Sequence, residues 1–257
     1  MLAQQRQAAI VDRVRSTGGV RVTDLAGEFG VSDMTIRRDL DLLAERGLLA
    51  KVHGGATAAE SGSTDEPGFA AKSARQLAEK AAIAATAAHL VLPGMAVALS
   101  AGTTTAALAH RLVDTAGLTV VTNSIPVAEV FHRAGRPDQT VVLTGGIRTP
   151  SDALVGPVAV AAIRTLHLDL VFLGVHGMSV RAGYTTPNLT EAETNRALIA
   201  SAERLVVLAD HTKWNTVGIS SIAPLSAAHT LITNTALPTP AHKTLQTHVR
   251  QLLVAPI

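Results

Sequence analysis

Val31-Ser32-Asp33-Met34-Thr35-Ile36-Arg37-Arg38-Asp39-Leu40 is the stretch on which the reading of this chain turns. Ser32 suits a helix N-cap, because its hydroxyl can accept from an otherwise orphan backbone N–H, and Asp33 in the first turn favours the positive end of the helix dipole. Ile36, Leu40 and Leu43 recur at i, i+4 and i+7, so they form one apolar stripe that must face a core. Met34, Arg38 and Asp41 then point outward, with Thr35 and Arg37 on the flanks. Arginine donates bidentately to guanine edges or holds phosphates, so an outward arginine pair near a helix start suits the major groove of a duplex. Arg38 and Thr35 are the expected base contacts, with Ser32, Met34 and Arg37 beside them.

The flanking sequence fits the same picture. Residues 6–14 carry a helical apolar period that Gly18-Gly19 interrupts. Thr23 is the expected cap of a second short helix through Leu25, Ala26 and Phe29, and Gly30 is the expected tight turn. Gly47 is read as the stop of the third helix. Leu48-Leu49-Ala50-Lys51-Val52-His53-Gly54-Gly55 reads as a short hairpin, a wing whose Lys51 and His53 can touch backbone phosphate. Three helices and a wing make an α+β winged helix-turn-helix.

Residues 6–56, through "VSDMTIRRDLDLLAERGLL" and the closing "HGGA", resemble the N-terminal domain of the DeoR family of bacterial sugar-metabolism regulators. Where that family usually carries Arg, this chain has Lys51, which keeps the charge and loses the fork geometry.

Composition sets bounds on the rest. The chain has 257 residues, enough for two domains, with 47% apolar and 2% aromatic residues, so its core is built from Ala, Val, Leu and Ile. It has no cysteine, which excludes disulfides, thiolate metal sites and cysteine nucleophiles. The N-terminus shows no apolar signal region and no run of apolar residues is long enough for a membrane span, so a cytoplasmic protein without a membrane partner is expected. Net charge is +2, and residues 1–56 hold eight Lys or Arg against seven Asp or Glu. Bulk charge does not argue for DNA. Affinity has to come from placed contacts and from heads acting together, which predicts a homodimer or homotetramer.

The domain organisation expected is 1–56 for the winged head, 57–71 for a linker, and 72–257 for an α/β domain. The linker reading rests on "TAAESGSTDEPG", small, polar and without apolar period. Beyond it, Ala-rich helices alternate with apolar runs at 96–99, 118–121, 140–143, 170–173 and 205–208, the pattern of a mainly parallel sheet covered on both faces.

Each run ends in a polar loop: Ser100-Ala101-Gly102-Thr103-Thr104-Thr105, Thr122-Asn123-Ser124, Thr144-Gly145-Gly146 with Arg148, Gly174-Val175-His176-Gly177, and Asp210-His211-Thr212-Lys213. Ligands of open α/β sheets sit beyond the carboxyl ends of strands, so these loops converge on one crevice. Gly102 allows close backbone approach, and Thr103, Thr104 and Thr105 open a helix whose N–H groups attract an anion. Arg148 and Lys213 supply charge, while Asn123 and Glu191 can hydrogen-bond hydroxyls. The set suits a phosphorylated sugar or polyol. No Walker or Rossmann glycine fingerprint accompanies it, which argues against a nucleotide, and no cofactor is implied.

Plainer readings exist for several of these residues. Thr190 with Glu193 makes a capping box, Glu191 can be a first-turn acid, Lys213 can pair with Asp210, and His176 can be an interior histidine.

The region from about Lys72 onward, through "GTTT", "VVTNS", "LTGGIR", "LDLVFLG", "TEAETNRALI" and "LADHTKW", resembles the DeoR-family sensor domain, itself similar to ribose-5-phosphate isomerase and coenzyme A transferase folds. The resemblance implies a sugar-phosphate effector held by Gly102, Thr103, Thr104, Thr105, Asn123, Gly145, Gly146, Arg148, Glu191 and Lys213. Ser100 stands where the family usually has Asp, so one carboxylate able to grip a sugar hydroxyl is missing. The function expected is a repressor that binds operator DNA and is released by a phosphorylated sugar. The alternative is a sugar-phosphate isomerase with an attached DNA-binding head and Glu191 as base. Such an enzyme needs a second acid group, for which the sequence offers no clear candidate.

Overall fold

The computed structural model describes residues 2–45, 48–58, 63, 64, 66 and 68–257. The chain divides into two compact units, Met1–Gly62 and Ser63–Ile257. In the first, α1 (Ala3–Thr17), β1 (Gly19–Arg21), α2 (Val22–Phe29), α3 (Asp33–Glu45), β2 (Leu49–Val52) and β3 (Gly55–Ala58) follow one another. Ile10, Val14, Leu25, Ile36, Leu40, Leu43 and Leu49 are buried together, each full burial contributing roughly 1.5–3 kcal/mol.

Ser32 caps α3 as the sequence suggests: its Oγ accepts from the Thr35 N–H at 3.3 Å. Gly30 closes α2, with the Gly30 and Val31 N–H groups both donating to the Ala26 carbonyl. Thr23 is not a cap. Helix α2 begins at Val22, whose N–H donates to the Gly54 carbonyl at 2.9 Å, so the hairpin supplies the acceptor that a side chain was expected to give. The expected stop at Gly47 lies outside the described residues. Strand β1 was not anticipated; it adds a third antiparallel strand beside the hairpin, in the order β1-β3-β2. Thr57 and Ala58, expected to open the linker, belong to β3, because their backbone pairs with Ala50 and Leu49.

In the second unit, α4 (Phe69–Ser73), α5 (Leu77–Ala88), β4 (Ala96–Leu99), α6 (Thr103–Leu112), β5 (Thr119–Thr122), α7 (Ile125–Ala134) and β6 (Thr140–Leu143) lead into a two-stranded hairpin, β7 (Ile147–Arg148) and β8 (Leu154–Val155). There follow α8 (Pro157–Ile163), β9 (Leu168–Gly174), β10 (Gly177–Ser179), β11 (Gly183–Thr186), α9 (Leu189–Ala200), β12 (Ala202–Leu208), β13 (Ser220–Ala223), β14 (Thr230–Asn234), α10 (Thr239–His248) and β15 (Gln251–Ala255). Helix α4 occupies the end of the stretch expected to be linker.

Seven strands form one parallel sheet in the order β15-β14-β12-β9-β4-β5-β6. All five expected strands are in it; β14 and β15 were missed. Leu170 and Phe172 of β9 face one core with Ile83, Leu108 and Phe131 of α5, α6 and α7, while Val171 and Leu173 face another with Ile163, Leu198 and Leu245 of α8, α9 and α10. Side chains alternating to opposite faces explain why an apolar run is needed along the whole strand. Strand β6 departs from that rule. It is the sheet edge, and Val141 and Leu143 stay exposed. Strands β10, β11 and β13 form a separate antiparallel sheet. Among the described residues no helix is long and apolar enough to cross a membrane.

Candidate functional site

The first unit offers a surface for nucleic acid on α3. Burying Ile36, Leu40 and Leu43 forces Met34 (74% exposed), Arg37 and Arg38 outward. Among the described residues neither guanidinium has an ion-pair or hydrogen-bond partner. Two adjacent unpaired forks on a helix surface are free to meet phosphates or base edges. Thr35 is half-buried and shares a 2.9 Å hydroxyl contact with Ser32, so the two act as one polar group at the helix start.

The hairpin places Lys51 on β2 and His53, exposed, in the turn. Lys51 is ion-paired with Asp41 of α3, an exposed pair that a phosphate would have to compete for. Asp39, on the buried side of α3, was not singled out. Its Oδ2 accepts from Arg6 Nε at 2.6 Å and its Oδ1 from Gln7 Nε2 at 2.8 Å, tying α3 to α1 and fixing the angle of the arginine pair.

In the second unit the chain order reverses between β4 and β9: β4, β5 and β6 run to one edge, β9, β12, β14 and β15 to the other. A crevice opens at the carboxyl ends on either side of such a reversal. Here the Gly174 N–H donates to Ser100 Oγ at 3.0 Å, stitching the two loops. Gly102 precedes α6, whose first-turn amides at Thr103, Thr104 and Thr105 have neither intrahelical acceptors nor a side-chain cap. Thr105 Oγ1 donates back to the Gly102 carbonyl at 2.9 Å, so its hydroxyl braces the turn.

Several expected ligand residues turn out to hold backbone. Asn123 is buried, its Oδ1 accepting from the Ala101 N–H at 3.0 Å and its Nδ2 donating to the Leu154 carbonyl at 3.1 Å, which locks the Ser100 loop to β8. A Cβ on Gly146 would lie 2.5 Å from the Val155 carbonyl oxygen, so no other residue fits that crossing, and Gly145 precedes it in the left-handed region at φ 72°. Arg148 is exposed and bound to Asp152 of its own hairpin, Nε to Oδ1 at 2.8 Å.

Glu191 is half-buried in the first turn of α9. Its two oxygens accept from Thr149 Oγ1 and Thr186 Oγ1, each at 3.0 Å, and burial, reinforced by the nearby Glu66 carboxylate, pushes its pKa up. The cap of α9 is Asn188, whose Oδ1 accepts from the Thr190 and Glu191 N–H groups, so the expected Thr190–Glu193 box does not form and Glu193 is exposed. Asp210 likewise does not pair with Lys213. Its Oδ1 accepts from the N–H and hydroxyl of Thr212, and its Oδ2 has no partner.

A group of charges absent from the sequence reading completes this end of the sheet. Glu66 accepts from Ser151 Oγ and Asn188 Nδ2, both at 3.0 Å, and Lys72 Nζ donates to the same Ser151 Oγ at 2.8 Å. Lys80, buried on α5, donates to the carbonyls of Lys72 and Arg75 at 2.5 Å each. Burial first, then the Lys213 charge, brings the Lys80 pKa down to about 8; burial lowers that of Lys72 as well. The signal for Lys80 was present, since it shares the stripe of Ile83, Ala84 and Ala87.

Residues 6–62 match the DeoR-like helix-turn-helix domain and residues 75–235 the DeoR C-terminal sensor domain. The chain is 34% identical to the uncharacterized HTH-type transcriptional regulator YgbI of Escherichia coli K12, over 99% of each chain. It is 33% identical to a putative aga operon transcriptional repressor of Escherichia coli O157:H7, over 91% of this chain and 87% of that one. It is 31% identical to the glycerol-3-phosphate regulon repressor of Escherichia coli K12, over 98% and 99%. Among solved structures, ribose 5-phosphate isomerase A of Methanocaldococcus jannaschii aligns at 16% identity with a TM-score of 0.39, over 53% of this chain and 54% of that one.

Proposed function

Because this chain belongs to the DeoR family of transcriptional regulators, we propose that it is a repressor of a sugar or polyol catabolic operon, acting in the cytoplasm and released by a phosphorylated sugar or polyol. The carrying observation is the unpartnered Arg37–Arg38 pair, fixed outward by the buried face of α3. In this reading α3 enters the major groove with Arg38, Thr35, Ser32 and Met34 near base edges, while Arg37, Lys51 and His53 meet the backbone.

Two heads of a homodimer or homotetramer engage two half-sites, and the effector binds one arrangement of the second unit better than the other. The relatives named for the aga operon and the glycerol-3-phosphate regulon support the effector class without selecting a compound. The loops at the reversal between β4 and β9 receive it: the amides of Thr103, Thr104 and Thr105 and the Lys213 ammonium face the phosphate and Glu191 a hydroxyl, while Asn123, Gly145 and Gly146 hold the loops in place and Arg148 lies at the rim.

Challenging the complex of protein and upstream operator with a panel of phosphorylated sugars and polyols tests this. One class of compound is expected to dissociate it at a concentration that leaves a complex of the isolated head intact; indifference to the whole panel refutes the effector. The regulator reading also predicts no turnover of ribose 5-phosphate. A measurable rate that disappears in Glu191→Gln would replace it with the isomerase.

A further inference from the structure

The second unit begins at Ser63, where the first ends at Gly62, and residues 66 and 68–80 lie near its start in the sequence. They bring three charges to the carboxyl end of the sheet. Glu66 and Lys72 share one anchor, the hydroxyl of Ser151, and Lys80 clamps the carbonyls of Lys72 and Arg75. Lys213 stands in the short turn after β12 that Asp210 caps. The next residue, Trp214, bridges to Met178 of β10, and β10 pairs with β11, whose Thr186 holds Glu191. The turn thus borders the same group, and the charge of Lys213 is felt at Lys72 and Lys80.

The cluster is unbalanced in a particular way. The Lys213 ammonium has no ion-pair or hydrogen-bond partner among the described residues, while those of Lys72 and Lys80 are held by a hydroxyl and by carbonyls rather than by carboxylates. The carboxylates Glu66 and Glu191 each already accept from two side-chain donors. Asp210 is 1% exposed, yet its Oδ2 accepts from nothing. A buried acceptor without a donor is rare in a folded protein. The loop after β12 thus presents one ammonium without an anion contact and one buried acceptor without a donor, and a polyol phosphate carries an anion and a hydroxyl donor together.

We propose that Lys72 and Lys213 hold the phosphate of the effector, that Asp210 Oδ2 accepts from one of its hydroxyls, and that the segment following the DNA-binding unit is thereby a wall of the effector site. The proposal rests on the sugar-phosphate reading above and adds a route for the signal. A phosphate at Lys72 draws its ammonium from Ser151, the group that also anchors Glu66, so occupancy is felt first in the segment that follows the head in the sequence.

Trp214 is the sole tryptophan and neighbours Lys213, so its fluorescence, together with a thermal shift, reports occupancy in the full chain. The probes are inorganic phosphate and glycerol 3-phosphate. Lys72→Gln and Lys213→Gln are expected to weaken both probes by about tenfold, the loss of one charge-assisted contact, with Lys72→Arg restoring most of it. Asp210→Asn is expected to weaken glycerol 3-phosphate and leave inorganic phosphate unchanged, while Lys243→Gln on exposed α10 changes neither. If Lys213→Gln loses both probes and Lys72→Gln binds them as the wild type does, the effector site stands and the segment is not its wall. If the wild type responds to neither probe by either readout, the effector reading falls and this inference with it.

Discussion

Asp39 lies beside buried Ile36, Leu40 and Leu43, and Lys80 beside buried Ile83, Ala84 and Ala87, so each sits on an apolar helical stripe. A charge in that position has to be paired or hydrogen-bonded, which makes it legible in the sequence as a residue with a partner, though the partner's identity is not. Removing one side of the buried Arg6–Asp39 pair leaves an uncompensated charge, so Asp39→Ala is expected to cost about 3–5 kcal/mol in urea unfolding. A cost below about 1 kcal/mol, the range of surface pairs, would show that the pair is solvated. Arg38→Ala tests the opposite face. It is expected to weaken operator binding by about 1–3 kcal/mol and to relax base preference, whereas uniform weakening across sequences would make Arg38 a phosphate contact. Glu191 carries a pH signature. Its raised pKa in the fold means that the native state holds the proton more tightly than the unfolded chain; the stability this gives is complete in acid and is lost as pH rises through the raised value. Glu191→Gln should therefore melt higher than the wild type at neutral pH, and the difference should shrink in acid; a constant difference would exclude the titration.

At the scale of elements, α3 was readable because cap, stripe and outward arginines are all local. Strand β1 was not, since Gly19, Val20 and Arg21 become a strand only by pairing with Thr57, Ala56 and Gly55 far along the chain. The same non-local pairing moved the cap position of α2 from the expected Thr23 to Arg21. Strand β14 was missed because its sequence, Thr-Leu-Ile-Thr-Asn, has the polar ends of a loop and is buried only between β12 and β15. The wing depends on one close approach: a Cβ on Gly55 would lie 2.0 Å from the Val20 carbonyl oxygen. Gly55→Ala is expected to part β1 from β3 and abolish operator binding while leaving the Trp214 response to phosphate intact. Retained operator affinity would mean that the wing takes no part in docking.

For the whole molecule, strand-end loops were visible in the sequence, but the sheet order was not, and the order decides which loops adjoin. The reversal between β4 and β9 brings Ser100 and Gly174 together, whereas Arg148 leaves on a hairpin and Asn123 is consumed by backbone. Glu66 falls in the stretch that reads as linker, and Lys72 and Lys80 at the start of the expected α/β domain, where no neighbouring residue marks them as part of a site. What unites the two units is linkage: an anion in the second can act on DNA only through a difference in its affinity for two arrangements of the heads. That coupling presupposes specific docking by the first unit. Competition between the DNA upstream of this gene and random duplex of equal length, at physiological salt, measures it. The account predicts a preference of roughly a thousandfold or more for the upstream DNA, while equal affinity for both would contradict it.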